Sequence, residues 1–213
     1  MVIGLVSVKK GSVGKLTKIG VRDSKLLTPK RREFLFDEIY SISEEIKYSC
    51  IYPKEINSAM RNGISLNELE AIHIARLVDS LKSVDSVYLD SPDVIQEKFG
   101  VRVSLLSSKP MRVSGTKRKQ SDDKPIKVIA EHKADALYPV VSAASIIAKV
   151  TRDNEIEDIK SSTGVDIGSG YPSDSKTISA IRENLDNLLL VPHVRDRWQT
   201  MNNIRQASIK EFF

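Results

Sequence analysis

The sequence predicts an α/β protein with a mixed β-sheet flanked by helices. Short apolar runs alternate with segments of helical period, so strands and helices are expected to take turns along the chain. A second indication comes from residues 127–153, where a short apolar run leads into a helix rich in alanine. Such a helix can approach a sheet closely, and it would fix the acid Asp135 at the junction of strand and helix.

The N-terminal third of the sequence alternates predicted strands with one predicted helix. Thr28 and Pro29 have the residue types of an N-cap and of a first helical position, so they mark the start of this helix. Apolar runs bounded by glycine or proline mark the strands. The predicted elements are a strand at residues 2–8, a second strand at residues 16–21, the helix that follows Thr28, and a short strand at residues 48–52.

The remainder of the sequence continues this alternation and becomes helical towards its end. Ser65 and Glu68 form a capping box, in which each side chain satisfies a backbone donor at the start of a helix. Residues 107–126 show no period and are rich in turn-forming residues, so we predict a basic loop there. The other predicted elements are a helix at residues 66–81, a strand at residues 84–89, a short helix ending at Phe99, strands at residues 101–106 and 127–130, a helix from Pro139, and helices at residues 174–190 and 194–205.

Composition and charge exclude several classes of protein. The chain has 213 residues, of which 40% are hydrophobic and 29% charged, as is ordinary for a globular protein. Its apolar runs are too short to span a bilayer and its start lacks the features of a secretory signal, so we expect a cytoplasmic protein. A single cysteine, Cys50, excludes an internal disulfide framework. The net charge of +5 is consistent with a polyanionic partner.

Two acids, Asp90 and Asp135, stand at the carboxyl ends of predicted buried strands. Ligands of α/β proteins usually bind at the carboxyl ends of strands, and carboxylates are ligands that Mg²⁺ prefers. A site for two metal ions needs more carboxylates than these two. The alternative is that each acid caps a helix or pairs with a lysine, and spacing alone leaves both interpretations open.

Two further features suggest binding. Tyr171 lies in a turn flanked by glycines, where its ring could stack on a sugar or a base, although it could also be an ordinary surface residue. At the end of the chain, Ile209, Phe212 and Phe213 would share one side of a single helical turn. Exposed terminal aromatics favour a partner site, and the alternative is that this tail docks onto the protein's own core.

Five blocks of the sequence carry a resemblance to a known family. They lie at residues 23–29, 65–70, 88–93, 130–153 and 168–174. In this order, and covering nearly the whole chain, they resemble ribonuclease HII of the archaeal type.

The resemblance implies a fold and an activity. The fold is a ribonuclease H-like mixed sheet flanked by helices, with a catalytic domain at residues 1–155, a helical C-terminal part at 156–205 and a tail at 206–213. The activity is hydrolysis of the RNA strand of RNA–DNA hybrids, including single ribonucleotides in duplex DNA. Cleavage would leave a 5′-phosphate and a 3′-hydroxyl and would use Mn²⁺ or Mg²⁺.

The resemblance also assigns roles to individual residues. Asp90 and Asp135 fall on two of the family's four metal-binding catalytic acids. Lys25 and Tyr171 fall on positions that contact the substrate backbone and the RNA–DNA junction. The residues Gln206, Ile209, Phe212 and Phe213 fit the sliding-clamp (PCNA) interacting motif, in which a glutamine, an aliphatic residue and two aromatics enter a groove of the clamp. We therefore expect a monomer that binds hybrids and the clamp and no membrane.

The sequence departs from the family's pattern at its start. The family opens with a strand that carries an Asp-Glu pair, followed by a Gly-Arg-Gly turn, whereas residues 1–6 match the second strand of the family. We therefore expect that the first strand is missing because of a start assigned too far downstream, that the sheet has a gap, and that this chain cleaves hybrids poorly. The alternative is a non-catalytic, clamp-associated protein that binds hybrids.

Overall fold

A computed structural model gives the structure of the protein and describes residues 1–115, 124–196 and 200–204. The chain forms two compact units. Residues 2–50 and 66–150 form the first, here called the sheet unit. Residues 51–65 and those from 151 onward, together with Met1, form the second, here called the helical unit.

Strands and helices alternate along the chain, as is typical of an α/β protein. The strands are β1 (Val2–Ser7), β2 (Glu45–Cys50), β3 (Ser86–Asp90), β4 (Met111–Val113) and β5 (Ile126–Glu131). The helices are α1 (Val13–Ile19), α2 (Pro29–Ile42), α3 (Pro53–Arg61), α4 (Leu66–Asp79), α5 (Gln96–Leu106), α6 (Ala134–Leu137), α7 (Pro139–Thr163) and α8 (Ser175–Glu183).

The strands of the sheet unit form two sheets of opposite character. β1 and β2 pair antiparallel, whereas β3, β5 and β4 form a parallel sheet in that order. The central strand β5 is buried along Val128, Ile129 and Ala130, because helices cover a parallel sheet on both faces. The edge strand β3 instead alternates buried Val87 and Leu89 with exposed neighbours, and this alternation leaves Asp90 in solvent.

Helices pack on these sheets through apolar faces. Phe99 and Val103 of α5 are fully buried against β5, together with Ala75 and Val78 of α4. The alanine-rich helix α7 approaches β1 as closely as the sequence predicts, since any side chain at Gly4 would collide with the backbone of Ala144. The core between β1, α2 and α7 contains Leu16, Leu35, Ile39, Ile146 and Ile147.

Several sequence predictions of secondary structure are wrong. Residues 16–21 belong mostly to helix α1 and residues 101–106 to helix α5, although both runs were predicted as strands. In each run tertiary packing overrides β-propensity, because Leu16, like Val103, is buried on one face of a helix. Pro53 begins α3 rather than only ending a strand, and β4 lies inside the predicted loop. Helix α8 ends at Glu183, well before the predicted end at residue 190.

The helical unit has its own small core. Ile167, Ala180 and Leu190 are buried there, with Ile156 and Ile159 of α7 packed against them. None of the helices in the described ranges has the length and hydrophobicity needed to cross a bilayer. The predicted domain boundary at residue 155 stays a prediction.

Phe99→Ala tests the packing of α5 on the parallel sheet. Phe99 is fully buried, so we expect the free energy of unfolding to fall by about 3–5 kcal/mol, measured by urea denaturation. Leu105→Ala on the same helix is the control, because Leu105 is 63% exposed and should change stability by less than about 0.5 kcal/mol. Equal losses in the two variants would contradict this packing.

Candidate active site

The parallel pairing of β3 with β5 brings the two predicted acids together. Asp90, the last residue of β3, is aligned with Glu131, the last residue of β5, so both strands end at the same edge. Asp135 follows four residues after Glu131, in the first turn of α6. The backbone N–H of Ala134 donates a hydrogen bond to Asp90 Oδ1 at 3.0 Å. The chain leaving β5 is therefore fastened to the carboxylate that ends β3.

Lys133, in the connection between β5 and α6, has a left-handed backbone conformation. Lys133 has φ 55° and ψ 35°, and it is the one non-glycine residue with positive φ in the described parts of the chain. This conformation costs roughly 1–2 kcal/mol for a residue with a side chain. It turns the chain sharply between Glu131 and Ala134, and the amide of Ala136 closes the turn by donating to Lys133 O at 2.9 Å.

Asp135 is the buried member of the pair, with only 9% of its surface exposed. Burial is the largest cause that raises the pKa of its carboxyl above the ordinary value, and the negative charges of Asp90 and Asp23 raise it further. The charge of Lys25 and a hydrogen bond from the Ala136 amide act in the opposite direction. The structure thus places Lys25 and a further acid, Asp23, close enough to act on Asp135.

The loop that carries Lys25 is held by buried polar contacts. Arg32 of α2 is buried and donates through Nη1 to the carbonyl oxygens of Ser24 (3.2 Å) and Leu27 (2.7 Å). The hydroxyl of Ser24 is hydrogen-bonded to that of Ser145 in α7 at 2.9 Å. The loop therefore has a fixed path, and the exposed Lys25 side chain extends from it.

Sequence reasoning missed three of these contributors. Asp23 belongs to one of the blocks that carry the family resemblance, so that block was the signal that could have singled it out. Arg32 and Ser145 act through hydrogen bonds to residues far away in sequence or to backbone carbonyls. Neither position carries a local pattern that indicates such a role.

The carboxylate pair fits a hard divalent cation. Mg²⁺ is commonly bound by one or two protein carboxylates, with water and substrate phosphate completing its coordination. Asp90 and Asp135 supply this donor chemistry, and a bound cation would favour the charged form of Asp135, whose pKa burial and the neighbouring acids raise. Within residues 1–115, 124–196 and 200–204, no group of three or more His, Cys, Asp or Glu residues is arranged to hold a metal ion.

Tyr171 lies in the helical unit, in a turn that requires glycine. Gly170 has a φ of 70°, and a Cβ there would lie 2.6 Å from Cδ1 of Ile156. The guanidinium of Arg152 lies 3.9 Å from the centroid of the Tyr171 ring, a cation–π contact. The ring is 42% exposed, so it is oriented by Arg152 while still reaching solvent.

Asp174 fastens the same turn to the start of α8. Its carboxylate accepts hydrogen bonds from the backbone N–H of Ser169 (2.7 Å), the Ser169 hydroxyl (2.6 Å) and the backbone N–H of Lys176 (3.0 Å). The hydrogen bonds from Ser169, which favour the charged form, lower the pKa of Asp174 to about 2. The turn that carries Tyr171 is therefore held in place by hydrogen bonds to the charged carboxylate of Asp174. The predicted tail residues Gln206, Ile209, Phe212 and Phe213 lie outside the described residues.

Asp90 and Asp135, which come together at one edge of the parallel sheet with Lys25 nearby, fit the site that the resemblance to ribonuclease H-like proteins implies. The family model of ribonuclease HII matches residues 1–201. Ribonuclease HII of Thermococcus onnurineus is 42% identical over 213 residues, covering 99% of this chain and 86% of the relative. The chain belongs to the ribonuclease HII family, the type II ribonucleases H, as the resemblance predicts.

Solved structures agree with this assignment. Ribonuclease H2 from Pyrococcus horikoshii superposes with a TM-score of 0.79 at 36% identity, covering 98% of this chain and 91% of that chain. The PCNA:RNase HII complex from Archaeoglobus fulgidus also gives a TM-score of 0.79, at 35% identity, covering 99% of this chain and 92% of that chain. The Mn²⁺ complex of Bst-RNase HIII shares the fold at 17% identity, with a TM-score of 0.75. The predicted ribonuclease H-like fold is confirmed.

Asp135→Asn tests the electrostatics of the pair. The raised pKa means that the charged carboxylate destabilises the folded state at neutral pH, so in a metal-free buffer the variant should melt at a higher temperature than the wild type. This gain should shrink as the pH falls and vanish below the ordinary aspartate pKa of about 3.9, where both states of the wild type are protonated. Thermal melts across pH measure the effect.

The control for this experiment is Asp37→Asn, which removes an exposed carboxylate from α2. Asp37→Asn should leave the melting temperature nearly unchanged at every pH of the series. A lower or unchanged melting temperature for Asp135→Asn at neutral pH would contradict a raised pKa of Asp135 caused by burial and by the neighbouring acids.

Proposed function

We propose that this protein hydrolyses the RNA strand of RNA–DNA hybrids, including single ribonucleotides embedded in duplex DNA, and leaves a 5′-phosphate and a 3′-hydroxyl. The observation that carries the proposal is the Asp90–Asp135 pair at the edge of the parallel sheet, in a chain that belongs to the ribonuclease HII family. We further propose that it acts in the cytoplasm as a monomer.

The carboxylates of Asp90 and Asp135 would hold Mg²⁺ or Mn²⁺. A bound divalent cation supplies an activated water and stabilises the charge that develops on the phosphate. Lys25, which is exposed and kept near Asp135 by the Arg32 contacts, would bind a non-bridging phosphate oxygen of the substrate. These side chains would thus bind the metal and the scissile phosphate at the same edge of the sheet.

Tyr171 would distinguish the RNA–DNA junction. An aromatic ring can pack against a deoxyribose, whereas a 2′-hydroxyl marks the ribonucleotide beside it. The contact with Arg152 supports this role, because a ring oriented before binding loses less conformational entropy when a sugar packs on it.

A cleavage assay tests the activity. With Mg²⁺ or Mn²⁺ present, the 213-residue protein should cut a DNA duplex that contains one ribonucleotide, and it should leave an all-DNA duplex of the same sequence intact. Asp90→Asn and Asp135→Asn should each lower the rate by at least about 100-fold, because each removes a metal ligand. Gel analysis of the products identifies the ends.

Asp37→Asn is again the control and should cleave like the wild type. Near-normal turnover of Asp90→Asn at saturating Mg²⁺ would remove Asp90 from the site. We expect the 213-residue protein to be slow, since two-metal hydrolysis uses more carboxylates than this pair. An extension before Met1 that carries the family's Asp-Glu pair and Gly-Arg-Gly turn should then raise the rate.

A second candidate function is binding of hybrids without cleavage. The same observation that predicts slow turnover favours it, namely a site with two carboxylates next to Lys25. Tight, hybrid-specific binding without any product from either the 213-residue or the extended protein would favour this second function over the first.

We also propose that residues Gln206, Ile209, Phe212 and Phe213 bind a sliding clamp. The residue types and spacing support this, as does the existence of a PCNA complex of the Archaeoglobus fulgidus relative. Phe212→Ala and Phe213→Ala should each weaken binding to an archaeal PCNA by at least about tenfold, because buried aromatic anchors dominate such interfaces. Calorimetric titration measures the affinity.

Lys210→Ala is the matched control for the clamp experiment. It changes a residue of the same tail that the motif does not use, and the affinity should stay close to that of the wild type. Unchanged affinity in both phenylalanine variants would show that clamp binding does not use this tail.

A further inference from the structure

Lys133 adopts a backbone conformation that a glycine would adopt at lower cost. Its φ of 55° is positive, which brings the Cβ of an L-residue close to its own backbone. Strain of this kind persists where the surrounding structure enforces it, and it often marks a functional position. The question is therefore what the Lys133 side chain contributes that a glycine could not.

The backbone around Lys133 is fixed on both sides. The residue before it, His132, donates its backbone N–H to Gln96 Oε1 at 3.0 Å, and its ring Nε2 donates to the carbonyl oxygen of Asp93 at 2.7 Å. The residue after it, Ala134, donates to Asp90 at 3.0 Å. Lys133 thus lies in a turn that is hydrogen-bonded on both sides, one residue before the amide that binds Asp90.

The ammonium group of Lys133 is not used inside the protein. The side chain is exposed, and within the described residues it forms neither a hydrogen bond nor an ion pair. Lys25 is the cation whose charge acts on the carboxyl of Asp135. The charge of Lys133 therefore stays available to a ligand that approaches the carboxylate edge of the sheet.

We propose that Lys133 binds a phosphate of the nucleic-acid backbone next to the cleaved bond, an inference that rests on the proposed action on hybrids. Lys133 would contribute in two ways. Its backbone conformation directs the Ala134 amide to Asp90, and its side chain adds a positive charge one residue before that amide. The group that Lys133 would recognise is a phosphodiester, and it would bind this group through its charge without preference for the nucleotide sequence.

Three substitutions separate the side chain from the backbone. Lys133→Gly relieves the strain and removes the cation, Lys133→Ala keeps the strain and removes the cation, and Lys133→Arg keeps both. Lys127→Ala is the matched control, because Lys127 is an exposed lysine at the opposite end of the same strand, β5. Each variant is characterised by its melting temperature and by its affinity for an RNA–DNA hybrid over a range of salt concentrations.

We expect Lys133→Gly to melt at a higher temperature than the wild type and yet to bind the hybrid more weakly. The loss of one phosphate contact should make the slope of log affinity against log salt shallower by about one. Lys133→Ala should show the same loss of slope without the higher melting temperature. Lys133→Arg and Lys127→Ala should keep the wild-type slope.

If Lys133→Gly kept the affinity and the salt slope of the wild type, the proposal would be overturned. The side chain of Lys133 would then contribute nothing to binding. A loss of slope in Lys127→Ala equal to that in Lys133→Gly would overturn it as well, since the effect would then follow net charge. A wild-type protein that fails to prefer the hybrid over duplex DNA would instead contradict the proposed function itself. The two failures are therefore distinguishable.

Discussion

The parallel pairing of β3 with β5 is the interaction on which the candidate site depends. It aligns Asp90 with Glu131, so that both strands end at one edge and the chain leaving β5 passes directly beside Asp90. The hydrogen bond from the Ala134 amide to the Asp90 carboxylate then fixes the path into α6, where Asp135 is buried. A shift of register in this pair would move Asp90 away from Asp135 and would break the hydrogen bond from the Ala134 amide to the Asp90 carboxylate.

Asp135 carries its charge in a buried position close to other acids. Burial raises the pKa of its carboxyl, and the negative charges of Asp90 and Asp23 raise it further. The protein tolerates this cost because buried contacts from Arg32 and Ser145 hold the surrounding loop. A divalent cation bound by these carboxylates would offset the unfavourable charge on Asp135 in the free protein.

The fold shows where local pattern is a reliable guide and where it is not. Caps and proline positions predicted the start of α2 correctly, because Thr28 satisfies a backbone donor within its own helix. The apolar runs at residues 16–21 and 101–106 predict strands by their length and composition. Their helical state follows from packing, as Leu16 and Val103 are buried on single faces of α1 and α5. Contacts between distant segments decide such cases, and short apolar runs do not encode them.

The sequence by itself showed to which family the chain belongs, and it predicted Asp90 and Asp135 as carboxylates of the site. Asp90 and Asp135 follow apolar strands, and the motif blocks stand in the family's order, so both properties are carried by local order along the chain. Only the tertiary structure decided that Asp135 is buried, that Asp23 and Lys25 act on it, and that Lys133 adopts a left-handed turn. The physical reason is that burial, charge coupling and strain depend on distances between segments that are far apart in sequence, and these distances exist only after the chain has folded.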